Sequence, residues 1–222
     1  MTEKAEIFQK MIDKCQIEYD LIIYLGFPIL KIKTKEVINE DELKFIKNLI
    51  KVPHHHYDFK LSKSDNILNN KELKRIKEFI WEYFCGYVDN ILEIENQFYM
   101  SNSWASIHKK GNFHPNHAHP NAIFSSVFYA SVSAGSSKII FTTNMPKIQE
   151  GFNFQYNVTN YNIFNSSSWK LPVESGDLLI FPGHMQHESS VYEGDDDRIM
   201  LGQSYFFRGR IGKEAEYNSL EL

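Results

Sequence analysis

The chain has 222 residues, 23% of them charged and 14% aromatic, and a formal net charge of -4. That length supports one sizeable core, and the mildly acidic balance excludes a global basic field drawing the protein to nucleic acid or an anionic membrane. Cys15 and Cys85 are its only cysteines, with no Cys-x-x-Cys spacing, which excludes a thiolate zinc site and a disulfide framework. A reduced, cytoplasmic setting is expected. No apolar run reaches membrane-spanning length, and the charged start Met1-Thr2-Glu3-Lys4 has no signal-peptide core.

Ile7, Phe8, Met11, Ile12 and Cys15 recur at helical spacing, which predicts a short amphipathic helix over Ala5–Cys15. Tyr19 to Lys33 reads as two strands around the break Gly26-Phe27-Pro28. Glu40-Asp41-Glu42 opens a helix over Asn39–Ile50 that Pro53 ends, and His54-His55-His56 follow as a surface loop. A longer helix is predicted from Asn70 to Leu92, with Leu73, Ile76, Phe79, Ile80, Tyr83 and Phe84 on its apolar face.

After Phe98 the period changes to two. Strands are predicted over Gln97–Ile107, Ile123–Val132, Lys138–Thr143, Leu178–Phe181 and Arg198–Phe207. Residues 144–170, rich in Asn, Ser and aromatics, read as a long insertion or lid with some strand pairing. Helices first and short, evenly spaced strands afterwards predict an α+β chain, a β-barrel or jelly-roll core with helices packed outside. We expect a single domain over 1–222, with 1–95 as a helical and strand support region and 96–210 as the core.

The chemistry concentrates in His114-Pro115-Asn116-His117-Ala118-His119-Pro120. Residues i and i+2 of an extended segment share a face, so His117 and His119 can grip one ion, and His187 supplies a third imidazole. Three protein ligands leave open positions, which suits catalysis. From Asn96 to Gln149 there is no Asp or Glu, so a carboxylate ligand could come only from elsewhere, such as Glu188 or Asp177. His114 is expected beside the ligands, His184 as a wall of the site, and His108 at the surface. Trp104 is expected in the core. Arg198, eleven residues after His187, offers a fixed fork for a carboxylate, and Tyr129 a hydroxyl for the same group. A chelating dicarboxylate such as 2-oxoglutarate fits these parts.

The segments Ser103-Trp104-Ala105-Ser106, Lys110 through Pro120, and Ser125-Ser126-Val127-Phe128-Tyr129 resemble a family of 2-oxoglutarate/Fe(II)-dependent oxygenases. That family lies within the prolyl-hydroxylase-like superfamily. Gly176-Asp177-Leu178-Leu179-Ile180-Phe181-Pro182, His187 and Arg198-Ile199 are similar to its closing half. The resemblance implies a double-stranded β-helix (jelly-roll) fold, with Fe(II) as cofactor and 2-oxoglutarate and O2 as cosubstrates. It implies His117, His119 and His187 as metal ligands, and Arg198, Tyr129 and Ser125 around 2-oxoglutarate. His119 departs from the superfamily's usual Asp. The expected function is hydroxylation of a protein side chain or small molecule. A cupin-like three-histidine dioxygenase needing no 2-oxoglutarate, and a non-catalytic metal-binding jelly roll, are the alternatives. No nucleic-acid-reading motif is present.

Overall fold

The structure is a computed structural model that describes residues 18–24, 26–34, 38–49, 51–54, 57–142, 158–163 and 165–222. The helix expected over Ala5–Cys15, the residues His55 and His56, and most of the 144–170 stretch lie outside these residues.

The two N-terminal strands form as predicted, β1 (Glu18–Tyr24) and β2 (Phe27–Lys33). Helix α1 (Glu40–Asn48) starts on a capping box: Asn39 Oδ1 accepts from the Glu42 amide, and the Glu42 carboxylate accepts from the Asn39 amide. Buried Glu42 also holds Arg75, which docks α1 on helix α2 (Lys74–Gly86). The long predicted helix is thus shorter than its apolar pattern. It is preceded by 3-10 turns over Ile67–Asn69 and Lys71–Leu73 and ends in a π-helical turn, Tyr87–Ile91. Two short strands not expected from the sequence, β3 (Lys51–Pro53) and β4 (Lys60–Ser62), lie between the helices.

The remaining strands are β5 (Gln97–His108), β6 (Phe124–Ser131), β7 (Lys138–Thr142), β8 (Ser168–Pro172), β9 (Leu178–Pro182), β10 (Gln186–Ser189) and β11 (Arg198–Arg208). A small hairpin, β12 (Arg210–Ile211) with β13 (Leu220–Glu221), follows. An eight-stranded antiparallel sheet runs β1-β2-β9-β6-β11-β5-β4-β3, and a three-stranded sheet runs β10-β7-β8. The fold is a double-stranded β-helix.

The large sheet is buried on both faces, which is why its strands read as continuous apolar runs. Leu30, Ile180, Phe128 and Leu201 pack outward against Ile76, Ile80 and Phe84 of α2. Ile29, Leu179, Phe181, Tyr129 and Met200 point the other way, against Ile139, Phe141 and Leu171 of the small sheet. β9 is buried at all five positions for this reason. Among the described residues, no helix is long and apolar enough to cross a membrane.

Candidate metal centre

The three predicted ligands meet in space. His117, His119 and His187 place ligand atoms within 4.8 Å of one another, and His187 is the most buried. The main chain brings them together. His117 N–H donates to the His187 carbonyl and His187 N–H to the His117 carbonyl, both at 2.9 Å, so the two residues form a bridge at the edge of the small sheet. His119 N–H is fixed on the Gly183 carbonyl at 3.0 Å.

The rings of His117 and His187 are oriented alike. His117 Nδ1 lies 2.8 Å from the Pro115 carbonyl and His187 Nδ1 2.9 Å from the Met185 carbonyl, in each case two residues upstream. A carbonyl only accepts, so Nδ1 carries the proton in both rings and Nε2 keeps its lone pair. Burial holds all the imidazoles of the site below their ordinary pKa. His119 falls to about 3 and His114 to about 4, chiefly by burial and then by neighbouring imidazoles. His187 and His117 are lowered for the same first reason. Neutral, pre-oriented imidazoles are the form a divalent transition metal binds, so the residues present fit such an ion.

No carboxylate joins the cluster among the described residues. Asp177 is tied to Lys31 at 2.9 Å and does not line the cavity. Glu188 lines the cavity beside the histidines but stands outside the group of three.

That cavity is walled by Trp104, Tyr129, Phe181, Met200 and the four histidines His114, His117, His119 and His187. His114 lies as expected, its ring 4.0 Å from that of His117. Three expectations are corrected. His184 does not wall the site: it is exposed and packs edge-on against Phe27 at 4.7 Å. Trp104 is not core but cavity wall, its ring 5.5 Å from that of His119. His108 is fully buried rather than at the surface.

His108 is the residue that sequence reasoning missed. It pairs with Arg198 across β5 and β11, and its Nδ1 accepts from Arg198 Nη2 at 2.9 Å. Its Nε2–H therefore donates to Ser106 Oγ at 2.7 Å. Burial, and then the Arg198 charge, push its pKa down to about 2, so it stays neutral. The period-two pattern Trp104, Ser106, His108 carried the signal, but the adjoining Lys109-Lys110 suggested a solvated turn.

Arg198 is fully buried. Its other hydrogen bonds run to Ser137 Oγ at 2.7 Å and Ser189 Oγ at 2.9 Å, and its Cζ lies 5.0 Å from the centroid of the Tyr192 ring. All these partners are neutral. No carboxylate among the described residues pairs with it, and its Nε–H is buried with no acceptor. The acidic turn Asp195-Asp196-Asp197 is not its partner; Asp195 pairs with Lys110. A buried guanidinium without an anion is costly, and a carboxylate is its natural complement.

Strand register orders the inner face of the large sheet. Arg198 pairs with His108, Met200 with Ser106 and Tyr129, Gly202 with Trp104 and Val127, and Ser204 with Asn102 and Ser125. Tyr129 therefore lies one row from Arg198. Ser125 lies three rows away, outside the cavity lining, with a buried hydroxyl that has no partner.

Residues 102–202 match the family described as "Putative 2OG-Fe(II) oxygenase". Among curated proteins, none matches this chain in sequence. Several solved structures share its fold at low identity. HygX from Streptomyces hygroscopicus, with nickel and 2-oxoglutarate bound, is 11% identical with a TM-score of 0.54, over 92% of this chain and 87% of its own. A Pseudomonas putida prolyl-4-hydroxylase is 10% identical with a TM-score of 0.52, over 93% and 100%. The epimerase SnoN from nogalamycin biosynthesis, in complex with Fe3+, alpha ketoglutarate and nogalamycin RO, is 9% identical with a TM-score of 0.55, over 90% and 84%. These likenesses support the jelly-roll fold, while the family match concerns the segment that carries the whole histidine cluster and Arg198.

Proposed function

On the premise that residues 102–202 carry the pattern of the 2OG-Fe(II) oxygenases, whose cofactor is Fe(II) and whose cosubstrates are 2-oxoglutarate and O2, we propose that this protein is an Fe(II)- and 2-oxoglutarate-dependent dioxygenase that hydroxylates its substrate. His117, His119 and His187 hold the metal through Nε2. Arg198 binds the far carboxylate of 2-oxoglutarate, with the Tyr129 hydroxyl one row away on the same face to assist it. Ser125, three rows from Arg198, takes no part in this reading. When bound, Fe(II) with 2-oxoglutarate and O2 supplies the oxidising chemistry. The chain's own contribution is to orient two imidazoles through backbone carbonyls, keep them neutral, and wall the cavity with Phe181 and Met200.

The observation that carries the 2-oxoglutarate reading is the buried Arg198, a cation surrounded by neutral acceptors just behind the cavity lining, where it bonds the lining residue Ser189. The three-histidine set also favours the cupin-like alternative, in which substrate binds the metal with no 2-oxoglutarate. One experiment separates them. Purified protein with Fe(II) and 2-oxoglutarate under nitrogen is expected to develop a visible metal-to-ligand charge-transfer band, and to form succinate slowly once air is admitted. Oxygen consumption without 2-oxoglutarate, and no band with it, would replace this reading by the cupin-like one.

A further inference from the structure

The ordered rows of the inner sheet face continue past the metal. At about 3.3 Å per residue along a strand, Gly202 stands roughly 13 Å and Ser204 roughly 20 Å from Arg198. The rows of Met200 and Gly202 line the metal cavity. The next row, Ser204 with Asn102, leaves it and enters a second groove bordered by residues 61–65. Trp104 and His119 belong to both walls, so the groove and the metal cavity adjoin at these two side chains.

The junction is a built feature. A Cβ on Gly202 would lie 2.4 Å from Trp104 Cε2, so only a bare glycine lets the indole lie flat on β11. Among the described residues no acceptor bonds the indole N–H. The outer wall is stitched to β5: Ser103 N–H donates to the Asp65 carbonyl at 2.7 Å and Ala105 N–H to Ser62 Oγ at 3.1 Å.

The character of the two spaces differs. Tyr129, Phe181, His187 and Met200 are all buried, so the metal cavity is an interior space. The groove is open: Lys63, Ser64, Asp65 and Pro120 are exposed. A small-molecule substrate is held by burying most of its surface, which this strip does not do. A nucleic acid needs a cationic track, and here the single cation Lys63 neighbours the anion Asp65. A hydroxyl and an amide at Ser64 and Asn102, with apolar Leu61 and Pro120 beside them, match the mixed surface of an extended polypeptide.

We propose that this groove binds the substrate, that the substrate is a polypeptide segment, and that it sends one side chain over Trp104 to the metal. The proposal deepens the dioxygenase reading and rests on it. It is tested with the Zn(II)- and 2-oxoglutarate-loaded protein and a random nonapeptide library carrying one photo-crosslinking residue, with the labelled sites read by mass spectrometry. Saturable labelling is expected at residues 61–65 and 102–104. Ser64→Trp, and separately Lys63→Trp, should cut the labelling about tenfold or more by filling an exposed strip. Each variant should keep the anaerobic Fe(II)–2-oxoglutarate band, which shows that it is folded. Labelling that does not saturate, that maps elsewhere, or that survives both variants overturns the groove assignment. Loss of the band in the unmodified protein would instead strike the dioxygenase reading, and the labelling pattern would still decide the groove.

Discussion

Replacing Arg198 by Met separates ligand binding from stability. In the ligand-free protein the guanidinium makes three hydrogen bonds, all to neutral partners, Ser137, Ser189 and His108. Removing it gives up those bonds, each about 1.5–3 kcal/mol with a charged donor. It also relieves a buried cation whose desolvation costs several kcal/mol. The two effects oppose, so ligand-free stability should change by less than about 2 kcal/mol. Binding has no such offset. A carboxylate held by two charge-assisted bonds loses about 3–6 kcal/mol. At 1.4 kcal/mol per tenfold, that weakens 2-oxoglutarate by about two to four orders of magnitude. Urea unfolding gives the stability, and titration of 2-oxoglutarate into the Zn(II)-loaded protein gives the affinity. Zn(II) affinity should be unchanged. A variant that binds 2-oxoglutarate within about threefold of the unmodified protein would remove Arg198 from its role.

Three further outcomes are expected. His119→Asp puts a carboxylate in place of one imidazole, and a carboxylate also ligates divalent metals, so metal should still bind. The added negative charge, worth up to about 4 kcal/mol at about 4 Å in an effective dielectric of about 20, should weaken 2-oxoglutarate about tenfold or more by calorimetry. Unchanged or tighter binding would contradict the charge account. For pH, His119 and His114 have folded pKa values of about 3 and about 4, below the roughly 6.5 of an unfolded histidine. The unfolded chain then binds more protons between those values, so metal-free stability should be full above about pH 6.5 and fall as pH drops toward 4. A urea midpoint that stays flat over that window would show the histidines already solvated. Asn39→Ala removes half of the capping box and should cost about 1 kcal/mol in urea unfolding, with no effect on 2-oxoglutarate affinity.

The three-histidine cluster was legible in the sequence because i and i+2 spacing is a local fact, and the missing carboxylate is a matter of counting. The longer strands of the large sheet were legible because burial on both faces makes long apolar runs, as in Leu178–Phe181. His108 and Trp104 were misjudged for one reason. Both sit on the inner face of β5, and which face turns inward depends on its pairing with β11, a contact between residues about a hundred positions apart. His184 failed the other way. Proximity to His187 in the chain suggested the site, but it precedes β10 and turns out to solvent. The short strands β3 and β4 carry too few residues for any periodicity, yet β4 and the segment after it supply the wall of the groove.

The most direct measurement is a crystal structure of the protein grown anaerobically with Fe(II) and 2-oxoglutarate, with the metal located by anomalous diffraction at the iron edge. The account predicts one ion bound by Nε2 of His117, His119 and His187, chelated by 2-oxoglutarate whose far carboxylate meets Arg198. An ion ligated by a protein carboxylate, or 2-oxoglutarate bound away from Arg198, would contradict it.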